Sequence, residues 1–180
     1  MQLILIVVLS IYSAIFYGII HDQITARICV EYFTLGHPPI FHTDDPTLLA
    51  LGWGVIATWW VGAILGIPLS LAARVGNLPK RTAVSMIKPI GILLLAMALC
   101  AALAGTAAYF NYRNVPLPVI DPMAEGIPRD KQLGFMVDLW THLASYGSGF
   151  LGGCVLIVWT LIIRFHAKVR ELRSADHAGA

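Results

Sequence analysis

Charged side chains are scarce in this sequence. They make up 12% of its 180 residues, about half the roughly 25% of a soluble domain. Hydrophobic residues make up 58%, and the mean hydropathy is +0.76. A water-soluble fold of this length could not hide so much apolar surface, whereas a bilayer serves as its solvent. The net charge is only +2, and no basic cluster is interleaved with aromatics. The electrostatic footprint of a nucleic-acid-binding protein is therefore missing. Cysteine is scarce too: Cys29, Cys100 and Cys154, an odd number with no CxxC spacing. Haem attachment, a zinc knuckle, a redox dithiol and a disulfide framework all lack support. Cys100 and Cys154 lie inside apolar runs and read as buried small hydrophobes.

Catalytic signatures are also missing. There is no HExxH zinc motif, no Walker loop and no GxSxG elbow, and the paired ExxH of di-iron bundles does not occur. Ser145 follows His142 by three residues, but nothing independent supports a serine mechanism. No internal repeat is present, so the matched broken helices of inverted-repeat transporters have no counterpart. Met1-Gln2 carries no basic n-region, and the first apolar run reads as a retained helix rather than a cleaved signal.

Long apolar runs remain. The first is Leu3 to Ile20, and it is expected to continue as helix through Phe33 because His21–Phe33 holds neither Gly nor Pro. Gly36, Pro38 and Pro39 then end it. The expected helices are about 3–33, 48–73, 90–110 and 133–168, with a polar tail at 169–180 that frays. Asp44-Asp45-Pro46 marks the start of the second helix, and Pro68 is expected to kink it. Pro116, Pro118, Pro122 and Pro128 favour an extended strap before the fourth. The expected fold class is all-α: a membrane-spanning four-helix bundle with two outward-facing loops, built as a single domain over residues 1–180.

Orientation follows from charge. Arg74, Lys80, Arg81 and Lys88 share one loop without acids, and Arg164, Lys168, Arg170 and Arg173 lie at the C-terminal end; these are eight of the twelve basic residues. The other two connections and their flanks hold Asp22, Glu31, Asp44, Asp45, Asp121, Glu125, Asp130 and Asp138, eight of the ten acids. The positive-inside rule then places both termini in the cytoplasm, with a bacterial inner (plasma) membrane as the expected location. Small residues recur four apart at Gly62/Gly66, Ala101/Gly105 and Gly149/Gly153. They suit either packing within one bundle, the reading preferred here, or a dimerisation face. Tyr17, Trp53, Tyr109, Tyr112 and Trp140 fit an outer aromatic belt. Trp59 and Trp60 lie deeper and are expected to fill grooves.

The chemistry gathers on the outer side. His21, His37, His42 and His142 lie there with the acids, and imidazole with carboxylate binds Zn, Cu, Fe or Mn. Asp138 and His142 are four apart and share a helix face, within a span where an ionisable group signals function. Tyr146 continues that face. His21 and Asp22 end the first apolar run at similar depth. If the first and fourth helices touch, His21, Asp22, Asp138 and His142 converge, and Glu31 joins them if the polar extension folds back. If a metal binds here, His21, Asp138 and His142 are its candidate ligands. The plainer alternatives are an Arg27–Glu31 helix-surface pair, an Asp138 that merely solvates a helix start, and His37 and His42 facing water.

The run from His21-Asp22-Gln23 through Thr25-Ala26-Arg27, Cys29 and Glu31-Tyr32-Phe33-Thr34 to Gly36-His37-Pro38, together with Leu51-Gly52-Trp53-Gly54 and Thr58-Trp59-Trp60, resembles a family of uncharacterised bacterial multi-spanning membrane proteins. The resemblance covers the first two helices and their connecting loop. It implies a membrane protein and directs attention to that loop, and it carries no catalytic or binding residues. Three roles stay open. The first is a binding or interaction protein, partnered by the lipid bilayer and by another membrane protein or a second copy. The second is a membrane-embedded enzyme using a metal or an acid–base pair. The third is a transport or assembly subunit.

Overall fold

The computed structural model describes residues 1–114 and 126–178. Among the described residues the fold is all-α. The segments are α1 (Gln2–Ile28), α2 (Val30–Thr34), α3 (Pro46–Ile56), α4 (Trp59–Arg74), α5 (Ala83–Tyr112) and α6 (Gln132–Ala178). Four stretches are long and apolar enough to cross a membrane: Gln2–Ile28, Pro46–Arg74, Ala83–Tyr112 and Gln132–His177. Large hydrophobics such as Ile4, Tyr12, Leu95, Leu103 and Leu151 cover the outside of the bundle. In water that surface would drive aggregation, and in lipid it needs no cover. The expected four-helix membrane bundle is therefore the observed architecture.

The spans run alternately up and down. α1 packs on α3 and α4, α5 packs on α6, and α4 meets α6. Glycine sets the closeness of the first of these contacts. A Cβ on Gly54 would lie 2.6 Å from the Ile19 backbone, and one on Gly62 would lie 2.7 Å from Ile11 Cα. Gly66 faces Ser10 of α1, Gly105 faces Thr141, and Gly149 and Gly153 face Met97 and Leu65. All of these small residues serve packing inside the chain, as a bundle in lipid requires.

Five sequence expectations need correction. The first helix does not run through Phe33. Cys29 adopts an extended conformation (φ −151°, ψ 99°) and separates α1 from α2. Tertiary packing decides this break, for a Cβ on Gly134 of α6 would stand 3.0 Å from the Ile28 carbonyl oxygen. The second span is interrupted at Ala57–Thr58 and passes through Pro68 unbroken. There the Thr58 hydroxyl donates back to the Gly54 carbonyl at 2.5 Å, competing with the helix ladder. α5 starts at Ala83 rather than 90, because a Thr82/Ser85 capping box opens it and Pro89 is absorbed inside. The tail stays helical through Ala178, with a Lys168–Glu171 pair at 3.4 Å and no glycine or proline before Gly179. Cys100, Cys154, Trp59 and Trp60 lie exposed on the bundle's exterior, while Trp53 is buried. Their hydrophobicity serves lipid contact in the first four and core packing only in the last. The Asp45-Pro46 start of α3 is as expected, with Asp45 Oδ1 accepting from Thr47 and Leu48 backbone N–H at 2.9 Å. Of the proline strap expected over 111–131, Pro116, Pro118 and Pro122 lie outside the described residues.

The α4–α5 turn is held from α6. The buried Arg164 guanidinium donates to the carbonyls of Pro79 (2.9 Å), Val75 (2.9 Å), Leu78 (3.0 Å) and Ala72. These include carbonyls that a helix C-terminus leaves without partners. Gly76, at φ 80°, lets the chain reverse there.

Candidate functional site

At the opposite end of the bundle, α1 and α6 bring their ionisable residues together. His21 lies about 28 Å along α1 from Gln2, close to one hydrocarbon thickness of roughly 30 Å. On α6, Asp138, His142 and Ser145 share one face through their i, i+4, i+7 spacing. The break at Cys29 then turns Tyr32 and Phe33 back over this point. The Tyr32 ring stacks on His142 with centroids 4.5 Å apart, and Phe33 meets the same imidazole edge-on at 5.8 Å.

His21, Asp22 and His142 each offer a ligand atom, and these atoms all lie within 4.8 Å of one another. Asp22 Oδ1 is 3.4 Å from His142 Nε2. The two imidazoles meet edge to face at 4.6 Å. His142 Nδ1 is 2.7 Å from the Asp138 backbone carbonyl oxygen. A carbonyl only accepts, so Nδ1 holds a proton and donates it. Nε2 therefore faces a carboxylate either as a bare lone pair or carrying a second proton. A lone pair against a carboxylate oxygen is repulsive unless a proton or a metal ion bridges them. Nδ1 donation to a carbonyl with Nε2 free is the arrangement of a metal-bound histidine.

Other polar atoms surround the trio. Ser145 Oγ lies 3.4 Å from His21 Nδ1 and 2.6 Å from the Tyr17 hydroxyl. His21 Nε2 and both carboxylate oxygens of Asp138 are buried without a hydrogen-bond partner. Native proteins rarely leave such groups unsatisfied. A cavity of about 50 Å³ adjoins the trio, lined by His21, Asp22, His142, Ser145 and Tyr146 among others. One ion with a water molecule fits that space.

The expected site residues are placed as follows. His21, Asp22 and His142 converge, with Asp22 completing the trio where the sequence reading had expected Asp138. Asp138 is fully buried one turn before His142, and Asp22 is its electrostatic neighbour, but its oxygens are not among the clustered ligand atoms. Adjacent residues on a helix point about 100° apart, yet His21 and Asp22 both offer an atom to the cluster. Glu31 does fold back, yet it pairs with Lys131 at 3.6 Å and accepts from the Cys29 thiol at 3.5 Å. Arg27 does not pair with Glu31, because the helix breaks between them; it donates to the Gln23 side chain and the Thr47 hydroxyl at 2.7 and 2.8 Å. His37 is half-buried and sits 4.6 Å from the Trp53 ring, with Nδ1 2.8 Å from the Tyr32 carbonyl. His42 is exposed beside Phe41 and Asp44, away from the cluster. Tyr146 reaches the cavity wall and donates to the Ala57 carbonyl at 3.4 Å.

Two participants escaped the sequence reading. Tyr17 is one turn before His21, so the i, i+4 rule applied to His21 finds it. Tyr32 has no such signal, since only the break at Cys29 brings it over His142. Burial raises the Tyr32 phenol above its usual range, so it keeps its proton beside the imidazole. Burial also pushes the Cys29 thiol up to about 12 and holds His37 below the ordinary histidine value.

Chemically, two imidazoles and one carboxylate supply three protein ligands and leave coordination positions open. That donor set suits Zn²⁺ or Fe²⁺ in a site that also takes an exogenous ligand, whereas closed structural zinc sites use four protein ligands. No protein-family model, no curated protein and no solved structure matches the chain.

Proposed function

We propose that this chain is a membrane-embedded binding protein whose site holds a divalent transition metal through His21, Asp22 and His142. The observation that carries the reading is the 3.4 Å approach of Asp22 Oδ1 to a His142 nitrogen whose ring partner already donates to a backbone carbonyl. Ligand atoms about 2.1 Å from a tetrahedral ion lie about 3.4 Å apart, so this pair already has ligand spacing. His21 completes the set by moving inward by roughly 1 Å. The charge asymmetry of the sequence supports a site on the outer side of the bacterial inner membrane, with both termini cytoplasmic.

A second reading draws on the unpartnered Asp138 carboxylate. Without a metal, a second proton on His142 would make an ion pair with Asp22, and Asp138, buried one turn before His142, would hold a proton of its own as a second acid of an acid–base enzyme.

Metal analysis of protein purified in nanodiscs separates the two. The metal reading expects one Zn²⁺, Fe²⁺ or Co²⁺ per chain after loading, lost in H142A and in D22N, with D138N retaining most of it. Wild-type protein that takes up no metal, or an H142A variant that still binds one equivalent, would overturn the reading. Single cysteines replacing Asp44 and Arg81 test the orientation: only the first should react with an impermeant maleimide added to the periplasmic side.

A further inference from the structure

A groove of about 730 Å³ runs between α1 and α5 and is floored by α6. It arises because α5 presents small residues there, with Ala98, Ala102 and Gly105 standing opposite Phe16, Ile20 and Ile24 of α1. Gly91 forms one end of it, and a side chain there would meet nothing within 4 Å. Both walls are membrane spans, so the opening faces lipid rather than water. From Gly91 to Gly105 the groove follows α5 for about 21 Å. Its volume falls within the ligand-pocket range of roughly 300–1,000 Å³.

The groove is apolar along its length but reaches the site. His21 and Tyr17 line both the groove and the small cavity that contains Asp22 and His142. Of the hydroxyls in its wall, Thr25 and Thr141 donate to carbonyls of their own helices at 3.2 and 2.6 Å, and Tyr17 bonds Ser145 at 2.6 Å. The imidazole of His21 is thus the polar group in the wall with a nitrogen left unpaired.

We infer that this groove admits one long-chain amphiphile with a carboxylate head from the bilayer, its chain along α5 and its head delivered past His21 to the open coordination position. The inference rests on the metal reading above. Size excludes a packed helix as occupant: one 21 Å long and 10 Å across fills about 1,600 Å³, more than twice the groove. Chemistry selects the head, because the ion would have three protein ligands, His21, Asp22 and His142, and would keep an open position that a carboxylate oxygen fills. Depth agrees, since the head would sit near the end of the span and the chain would point toward the bilayer centre.

Two measurements on the full chain in phosphatidylcholine nanodiscs test this. The first is electron paramagnetic resonance of doxyl-stearate, which needs no metal. Wild-type protein should give an immobilised component that unlabelled palmitate displaces, and A102F, which fills the groove, should lower it at least tenfold. The second is the visible spectrum of Co²⁺-loaded protein. Palmitate should perturb it at concentrations at least tenfold below those at which acetate does, and A102F should bind Co²⁺ normally but lose that difference. Absence of an immobilised component, an unchanged component in A102F, or equal effects of palmitate and acetate would each overturn the inference. Failure of Co²⁺ to bind, with stearate still immobilised, would sink the metal reading and the delivery step, and leave only a chain-binding groove.

Discussion

A single methyl group at Gly54 should loosen the proposed metal site from one helix away. The Cβ of Gly54→Ala would stand 2.6 Å from both N and Cα of Ile19, where ordinary contact begins at 3.4 Å. Those atoms are backbone, so no rotamer change relieves the clash, and α1 must back away by about 0.8 Å. Overpacking of this kind costs roughly 1–3 kcal/mol. Ile19 precedes His21 and Asp22 by two and three residues, so both ligands move with it while His142 stays on α6. The 3.4 Å spacing between Asp22 and His142 then opens. Metal affinity should fall about 10- to 100-fold, the scale expected when ligand positioning is disturbed. Gly147→Ala is the matched control, because a Cβ there meets nothing within 4 Å. It should leave affinity unchanged and stabilise the helix by up to about 1 kcal/mol. Co²⁺ titration and thermal unfolding of both variants in nanodiscs provide the readouts. Equal metal affinity in the two variants would refute the coupling between the glycine crossing and the site.

Three further outcomes follow from the geometry. Because burial holds His37 below its ordinary value near 6.5, the unfolded chain takes up a proton that the folded chain refuses, and stability should fall as pH drops below about 6.5. Comparing melting temperatures of wild type and His37→Gln from pH 7 to 5 checks this; parallel curves would count against it. Cys29, buried with its thiol pushed up to about 12, should resist maleimide at pH 7.5 in a Cys100→Ser/Cys154→Ser background until the protein is denatured, and rapid labelling of the folded form would contradict the placement. Arg164→Met should destabilise by on the order of 3 kcal/mol by stripping several turn carbonyls of their charged donor; chemical denaturation in mixed micelles measures it, and a change below about 1 kcal/mol would mean those bonds carry little.

The spans were legible because apolar length is a composition signal. Leu48–Ala73 or Ile90–Phe110 can be recognised without knowing any neighbour. Their interruptions were not, because Cys29 and Thr58 are ordinary helix residues locally. What breaks the helix at Cys29 is α6 passing close at Gly134, a tertiary fact. The same divide runs through the site. Asp138 and His142 were paired correctly as one helical face, and His21 and Asp22 were placed at similar depth. The choice of Asp22 over Asp138 as the third clustered ligand depends on how α1 is rotated against α6, which no single helix encodes. Glu31 misled for a related reason: the extension folds back as anticipated, but Lys131, just ahead of α6, captures its charge.

The clasp at Arg164 has a bearing on biogenesis. The carbonyl of Pro79 is satisfied by a side chain 85 positions further along, which a ribosome delivers only after the next two hydrophobic segments have emerged. Until then the hairpin between the second and third spans must rely on solvent or lipid headgroups for its unpaired oxygens. α6 therefore locks a turn made long before it, so that closure of this four-span bundle waits until Arg164 has been made.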